Sequence, residues 1–263
     1  MGAYIEFFKR SFLQQYAYRI NSFIQIASSM LKLFVQVSVW SALYHNTGEI
    51  NGISLQDMIS FLIINLIITS IANTNIGNQI GQRVSEGTIG IDFIRPVSFK
   101  FYLISEDMGA AFFKILFNVL PVCIFASLFW GVQFPARLSH IILFAVSMIL
   151  GIALMYQIDY VLGLLAFWFK TAFYMEWFSR AFFELFAGTF VPLWFYPHVL
   201  YKISQYLPFR YVLFDPISIY LEKVSTGSAN DIILVQLIWI LLLQLIEYVM
   251  WNQIRSIVTV HGG

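Results

Sequence analysis

Six apolar runs dominate the chain, at about 20–44, 55–76, 105–130, 138–168, 172–193 and 231–251. Each is near or above the roughly 20 residues of helix that cross a bilayer core about 30 Å thick. Hydrocarbon offers backbone N–H and C=O groups no water, so runs of this length are stable there as helices that satisfy their own hydrogen bonds. The expected fold is an all-α polytopic membrane protein with six transmembrane helices, forming a single domain over residues 1–263. Composition agrees: the chain is 59% hydrophobic and 11% charged, against about 45–50% and about 25% in a soluble domain. Its 27 Phe, 14 Tyr and 7 Trp exceed what one core could hide from water.

A formal charge of +1 gives no field for nucleic acid, so the positions of the charges carry the information. Counted over short flanks, one side gathers Lys9, Arg10, Arg19, Arg83, Arg95, Lys100, Lys170 and Arg255, and the other Arg137, Lys202, Arg210 and Lys223. Both termini are therefore expected in the cytoplasm, together with a loop over 77–104 between spans 2 and 3. The segment 194–230 is expected outside. It is too polar to span and is interrupted at Pro197, Pro208 and Pro216, which points to short amphipathic or re-entrant helices. In residues 1–19, Ile5, Phe8, Phe12 and Tyr16 recur at helical spacing, as in an interfacial helix. The start has no apolar core followed by a cleavage site, so no removable signal peptide is expected. Glu6 breaks the myristoylation pattern.

A Lys, Arg or Asp at mid-membrane costs about 2.5–3.5 kcal/mol, so such residues are expected to pair or to face a wet cavity. Lys32, Lys114, Asp159, Glu176, Arg180 and Glu184 fall within the runs. Asp159 is expected to pair with Lys32 or Lys114. The spacing of Glu176, Arg180 and Glu184 stacks them as an acid-base-acid ladder on one helix face. Polar stripes accompany them: Gln25, Ser29, Lys32 and Gln36 in the first span, and Asn65, Thr69 and Asn73 in the second. Stripes of this kind serve either helix–helix hydrogen bonds or a transport pathway. Glu247 is expected at an interface beside Trp251.

Chemistry of other kinds finds no support. Cys123 is alone and the histidines, His45, His140, His198 and His261, are far apart, so neither a disulfide nor a metal site is expected. No phosphate-binding G-x-x-x-x-G-K-[ST] loop occurs, and GQRVSEGT lacks its Lys, so ATP hydrolysis is not expected of this chain. No G-x-S-x-G, H-E-x-x-H or triad spacing is present, and the chain is not expected to be an enzyme. A lipid-acting membrane enzyme would have to use the ladder at 176–184. An ion-coupled carrier would use Asp159 and Lys32, and the missing inverted repeat of broken helices speaks against it.

Residues 83–100, RVSEGTIGIDFIRPVSFK, stand out between two apolar runs. Gly87 and Gly90 permit bends and Pro96 stops a helix, which suits a short surface helix in the cytoplasmic loop. VSEGTIGIDFIRPVS, Val84 to Ser98, resembles the E-G-T/x-I-x-x-x-L-x-R-P-V segment of the small six-span permeases of type-2 ABC exporters. Further similarities lie in YAYRINSF at 16–23, Trp40, the G-x-x-[IV]-P-L-x-[FL]-[FY]-P…L-P-F…P pattern at 188–216, and the RSIVTVHGG tail. Asp92-Phe93 departs from the Leu or Ala usual in the family.

The resemblance implies a permease that dimerises with the same or a related chain and binds two copies of a cytoplasmic ABC ATPase. No cofactor is implied on this chain, since ATP and Mg would sit on the ATPase. By position, Glu86, Gly87, Thr88, Asp92, Arg95 and Pro96 become the ATPase-coupling residues of a helix lying between spans 2 and 3, and the N-terminal helix would touch the same partner. Lys32, Gln36, Asn65, Thr69, Asn73, Lys114, Asp159, Glu176, Arg180 and Glu184 become candidates for the pathway or its interior contacts. Pro192, Pro197, Pro208 and Pro216 would belong to a cap on the exit side. Such a protein is expected in a bacterial plasma membrane.

Overall fold

The computed structural model describes residues 2–17, 19–169 and 173–261, apart from the side chains of 19, 21, 173–176, 178 and 255–261. Helix α1 (Gly2–Ala17) precedes α2 (Arg19–Tyr44). A short hairpin of β1 (Glu49–Ile50) and β2 (Ile53–Ser54) turns at Asn51 and Gly52, with φ of 55° and 75°. Positive φ at both central residues is what a two-residue hairpin turn requires, hence Asn-Gly. Ser54 then caps α3 (Leu55–Ala72): its hydroxyl accepts the Asp57 N–H while the Asp57 carboxylate accepts the Ser54 N–H.

The chain breaks over 73–75, resumes as α4 (Ile76–Ser85), and continues through α5 (Ile89–Ile94) into α6 (Phe99–Lys114). A π-helical turn, Ile115–Val119, joins α6 to α7 (Leu120–Trp130). Pro121 has no N–H for the carbonyl four residues back, and the neighbouring Leu120 N–H closes a wide turn onto the Ile115 carbonyl. There follow α8 (Leu138–Leu164), α9 (Ala166–Phe169), α10 (Phe173–Phe186), α11 (His198–Gln205), α12 (Phe214–Tyr220) and α13 (Thr226–His261).

Among the described residues, five helical stretches are long and apolar enough to cross a membrane: Ser22–Tyr44, Leu55–Ser85, Phe99–Trp130, Leu138–Phe169 and Thr226–Ile254. The run at 172–193 is built differently. Helix α10 has 14 residues, about 21 Å at 1.5 Å per residue, and the chain leaves it at Gly188, φ 75°. Beyond that point it runs without α-helix, through a 3₁₀ turn at Leu193–Phe195, to α11. Asn65 Nδ2 donates to the Thr189 carbonyl at 2.7 Å, and Asn51 Nδ2 to the Trp194 carbonyl at 3.2 Å. The irregular segment therefore climbs alongside α3 from Asn65 towards the hairpin. Irregular backbone packed against an apolar helix needs protein cover and partners for its polar groups, and Ala187 and Leu193 are buried.

The prolines beyond it start helical turns, as their missing N–H favours. Pro192, Pro197 and Pro208 each precede one, and Pro216 lies in the first turn of α12. These short helices fold inward. A Cβ placed on Gly151, midway along α8, would come within 2.9 Å of the Val212 carbonyl oxygen, so only glycine lets this backbone in. Gln236 of α13 donates to the carbonyls of Tyr211 at 2.8 Å and Ser147 at 2.9 Å.

Two cores result. One, at the hairpin end, joins Met58, Phe61 and Leu62 of α3 to Leu154 of α8 and to Leu213 and Ile217. The other, at the α5 end, joins Ile76 and Ile80 of α4 to Leu103, Tyr160, Leu164 and Ile254. Helix α1 runs alongside α6 in the same direction, with ring centroids 4.6 Å apart for Phe7 and Tyr102 and 5.5 Å for Phe12 and Phe113. Gly109 permits that approach, since a Cβ there would lie 2.3 Å from the Phe8 carbonyl oxygen.

Candidate functional site

Between α2, α3, α10 and the π-turn lies a cleft of about 520 Å³. From α2 it receives Gln25, Ser29 and Lys32, one face of the polar stripe, and from α3 Thr69 and Asn73. Lys114 ends α6 at the cleft wall, and the π-turn adds Asn118, so the irregular turn itself is part of the lining. Arg180 and Glu184 face it from α10, and Asp159 from α8. Lys32, Lys114, Asp159, Arg180 and Glu184 thus share one cleft, where their charges need not meet hydrocarbon. Two pathway candidates stand apart, and a third is not described. Gln36 lies one turn beyond Lys32 and outside the lining; Asn65 is buried against the Thr189 carbonyl; the Glu176 side chain lies outside the described residues, so the ladder is seen only at Arg180 and Glu184.

The expected pairing of Asp159 with a lysine is not what forms. Its Oδ2 accepts the Thr74 hydroxyl and, at 3.0 Å, the Gly77 N–H. Lys32 instead sits 5.3 Å from the centroid of the Phe190 ring, and Arg180 Nη2 donates to Asn73 Oδ1 at 3.4 Å. The reason is the break at 73–75. It exposes the first N–H groups of α4, which have no intrahelical acceptor and lie at the positive end of the helix dipole. Asp159 fills that place, and Asp107 adds to it by accepting the Asn75 N–H at 3.2 Å and the Tyr156 hydroxyl at 2.8 Å.

Helix α4 leads from this clamp to the second region. Its end is a Schellman motif: the Gly87 N–H reaches the Val84 carbonyl at 3.2 Å, the Thr88 N–H reaches the Arg83 carbonyl at 3.0 Å, and Gly87 takes φ 72°. Glu86, Gly87 and Thr88 are exposed at this turn, Glu86 accepting from Gln82 Nε2 at 2.8 Å. Asp92 is not: it is 7% exposed, with Arg83 Nη1 at 3.2 Å and Arg95 Nη1 at 3.3 Å on its two oxygens. Arg83 also meets the Tyr102 hydroxyl at 3.1 Å and Glu106 at 3.6 Å. Tyr102 first, then Asp92, push the Arg95 pKa above its ordinary range, on a guanidinium that is charged in any case.

Phe93 points the same way as Asp92, edge-on to Phe99 and Trp251, both at 5.6 Å between centroids. The departure Asp92-Phe93 is therefore the staple that holds α5 to the bundle. Pro96 follows the extended Arg95 and ends the helix, and the Ser98 N–H is taken by the Tyr4 hydroxyl at 3.0 Å, tying α1 to the same end. What α5 turns outward is Ile91, 62% exposed, and Ile94, 84% exposed. Reading by polarity passed over both. Their signal was present in the spacing: positions i and i+3 flanking an inward acid-aromatic pair in a six-residue helix. A buried ion pair was also missed. Glu247, expected at an interface, bonds Lys100 Nζ at 2.6 Å and Gln157 Nε2 at 2.6 Å inside the bundle.

A family model described as ABC-2 family transporter protein matches residues 30–258. No curated protein matches the chain.

Proposed function

Because the chain belongs to the ABC-2 transporter family and is thereby a membrane permease component of an ABC transporter, we propose that it forms half of the pathway of an ATP-driven exporter. The family implies association with an ABC ATPase; in this reading that ATPase is a separate cytoplasmic chain, present in two copies and carrying the ATP and Mg. The observation that supports the reading most is the α5 end. A short helix with Ile91 and Ile94 outward, flanked by the exposed Glu86–Thr88 turn, is stapled to α4 through the Asp92–Arg83 pair and to α6 through Phe93 against Phe99. Such an element moves as one body with the bundle when a partner pulls on it.

Orientation follows from the lysine and arginine flanks, which favour the α5 end and both termini on the cytoplasmic face of the plasma membrane. The sixth crossing is then α10 with the irregular climb after Gly188. The cleft opens beside α2, whose Phe23, Phe34, Val35 and Val39 are exposed, and a second permease, identical or related, completes the pathway there. ATP binding closes the two ATPases, α5 shifts, and the cleft alternates between the two faces.

Purified in mild detergent from its native membrane, the tagged chain is expected to bring a P-loop ATPase identifiable by mass spectrometry. Removing one buried isoleucine contact and adding a charge weakens such docking by about tenfold or more. Glu86→Arg and Ile94→Asp are each expected to lose the ATPase at that level while the chain stays monodisperse. A folded chain that brings no ATPase overturns the proposal.

A further inference from the structure

The charges of the cleft do not cancel in place. Lys32 and Lys114 reach it from different walls, and among the described residues neither has a carboxylate within salt-bridge distance. The two acids on the lining among the described residues are committed or offset. Asp159 is held by Thr74 and Gly77, and Glu184 lies one helical turn from Arg180 on α10. Asp107, two turns back from Lys114 on α6, is occupied by Tyr156 and Asn75 and lies outside the lining. Two ammonium groups at membrane depth with no described carboxylate in contact, Lys114 feeling the charge of Asp107 only at a distance, are costly, and an incoming anion lowers that cost.

Neutral groups add a second requirement. Asn118 Oδ1 and Thr189 Oγ1 are buried on the same lining with no hydrogen-bond partner, although Asn118 already gives its amide N–H to Gln25 at 2.5 Å. Asn118 Oδ1 can only accept, so it calls for a hydroxyl or N–H on the occupant. Ile24, Leu66 and Phe183 supply apolar wall around these groups. A space of about 520 Å³ suits a head group or a drug-sized body.

We infer that the cleft takes the acidic head group of an amphiphile, with Lys32 and Lys114 binding the phosphate or carboxylate and Asn118 receiving a neighbouring hydroxyl. The inference rests on the permease reading and names the chemical class of its cargo. The permease–ATPase assembly, in nanodiscs of phosphatidylcholine, is titrated with fluorescent lysophosphatidic acid. Binding is expected to saturate, and dodecyl phosphate or dodecanoate to displace the probe at concentrations at least about tenfold below those needed of dodecyltrimethylammonium. Lys32→Gln and Lys114→Gln are each expected to weaken the probe about tenfold, and Lys32→Arg to retain it. Equal displacement by the cationic amphiphile, or wild-type affinity in both glutamine variants, overturns the inference. ATPase recovery in the same preparation reports on the permease reading independently, so an ATPase-bound chain without charge preference refutes the acidic cargo alone.

Discussion

Asp215→Ala is expected to cost about 3–5 kcal/mol of stability, the loss typical when one partner of a buried ion pair is removed. Asp215 is 2% exposed and Arg210 8%. Arg210 holds it through two bonds, Nε to Oδ2 at 2.8 Å and Nη2 to Oδ1 at 2.7 Å. Around the guanidinium stand the rings of Tyr201, Tyr211 and Phe214, at 5.4 to 5.6 Å. Arg210 Nη1 has no partner even in the intact chain, so losing the carboxylate strands a whole buried charge. The damage falls where the Tyr211–Val212 backbone enters against Gly151, and the segment of short helices there is expected to come loose from α8. Thermal unfolding of the purified chain in detergent measures this. Arg210→Met combined with Asp215→Leu is expected to recover most of the loss, because replacing both charges by apolar groups leaves nothing stranded. Wild-type melting of Asp215→Ala would mean that water reaches the pair.

Apolar length revealed the membrane fold but not where an apolar run ceases to be helix. FAGTFVPL, at 186–193, is apolar on both sides of Gly188, and hydropathy does not see the positive φ at which the chain turns out of α10. The break after α3 carries neither Gly nor Pro. Its signal is Asn73-Thr74-Asn75, three side chains that compete for backbone hydrogen bonds, and that signal is too common to decide a boundary. The price of charge in hydrocarbon pointed to a shared interior for Lys32, Lys114, Asp159 and Arg180, and all four line one cleft, Asp159 buried and Lys32 and Arg180 exposed within it. It did not choose partners. Thr74 and Asp159 are 85 positions apart, and only the folded chain places a bare helix N-terminus closer to that carboxylate than any lysine. At α5 the resemblance placed Asp92 among the partner contacts by position, whereas two arginines bury it and leave the isoleucines outside.

Helix α4 joins the cleft to the α5 end, and the second large effect is expected where it crosses α8. Two glycines meet there. A Cβ on Gly163 would lie 2.8 Å from the Gly77 Cα and 2.9 Å from Ile80 Cδ1, and one on Gly77 would lie 2.8 Å from Asp159 Oδ1. Gly163→Leu must therefore push α4 off α8, an overpacking that costs about 1–3 kcal/mol. Function should suffer more than stability. The bond from the Gly77 N–H to Asp159 is the tie between α4 and the cleft wall, whereas the Asp92 staple and the outward isoleucines lie at the far end of α4 and beyond, untouched. The ATPase is expected to stay bound and to hydrolyse ATP, while transport per ATP falls at least about fivefold, the lower range of an allosteric coupling energy. Counting cargo moved against phosphate released, in liposomes holding the assembly, separates these outcomes. An unchanged ratio would mean that α4 does not carry the motion, and that the cleft answers to the ATPase through α6 and Lys114 instead.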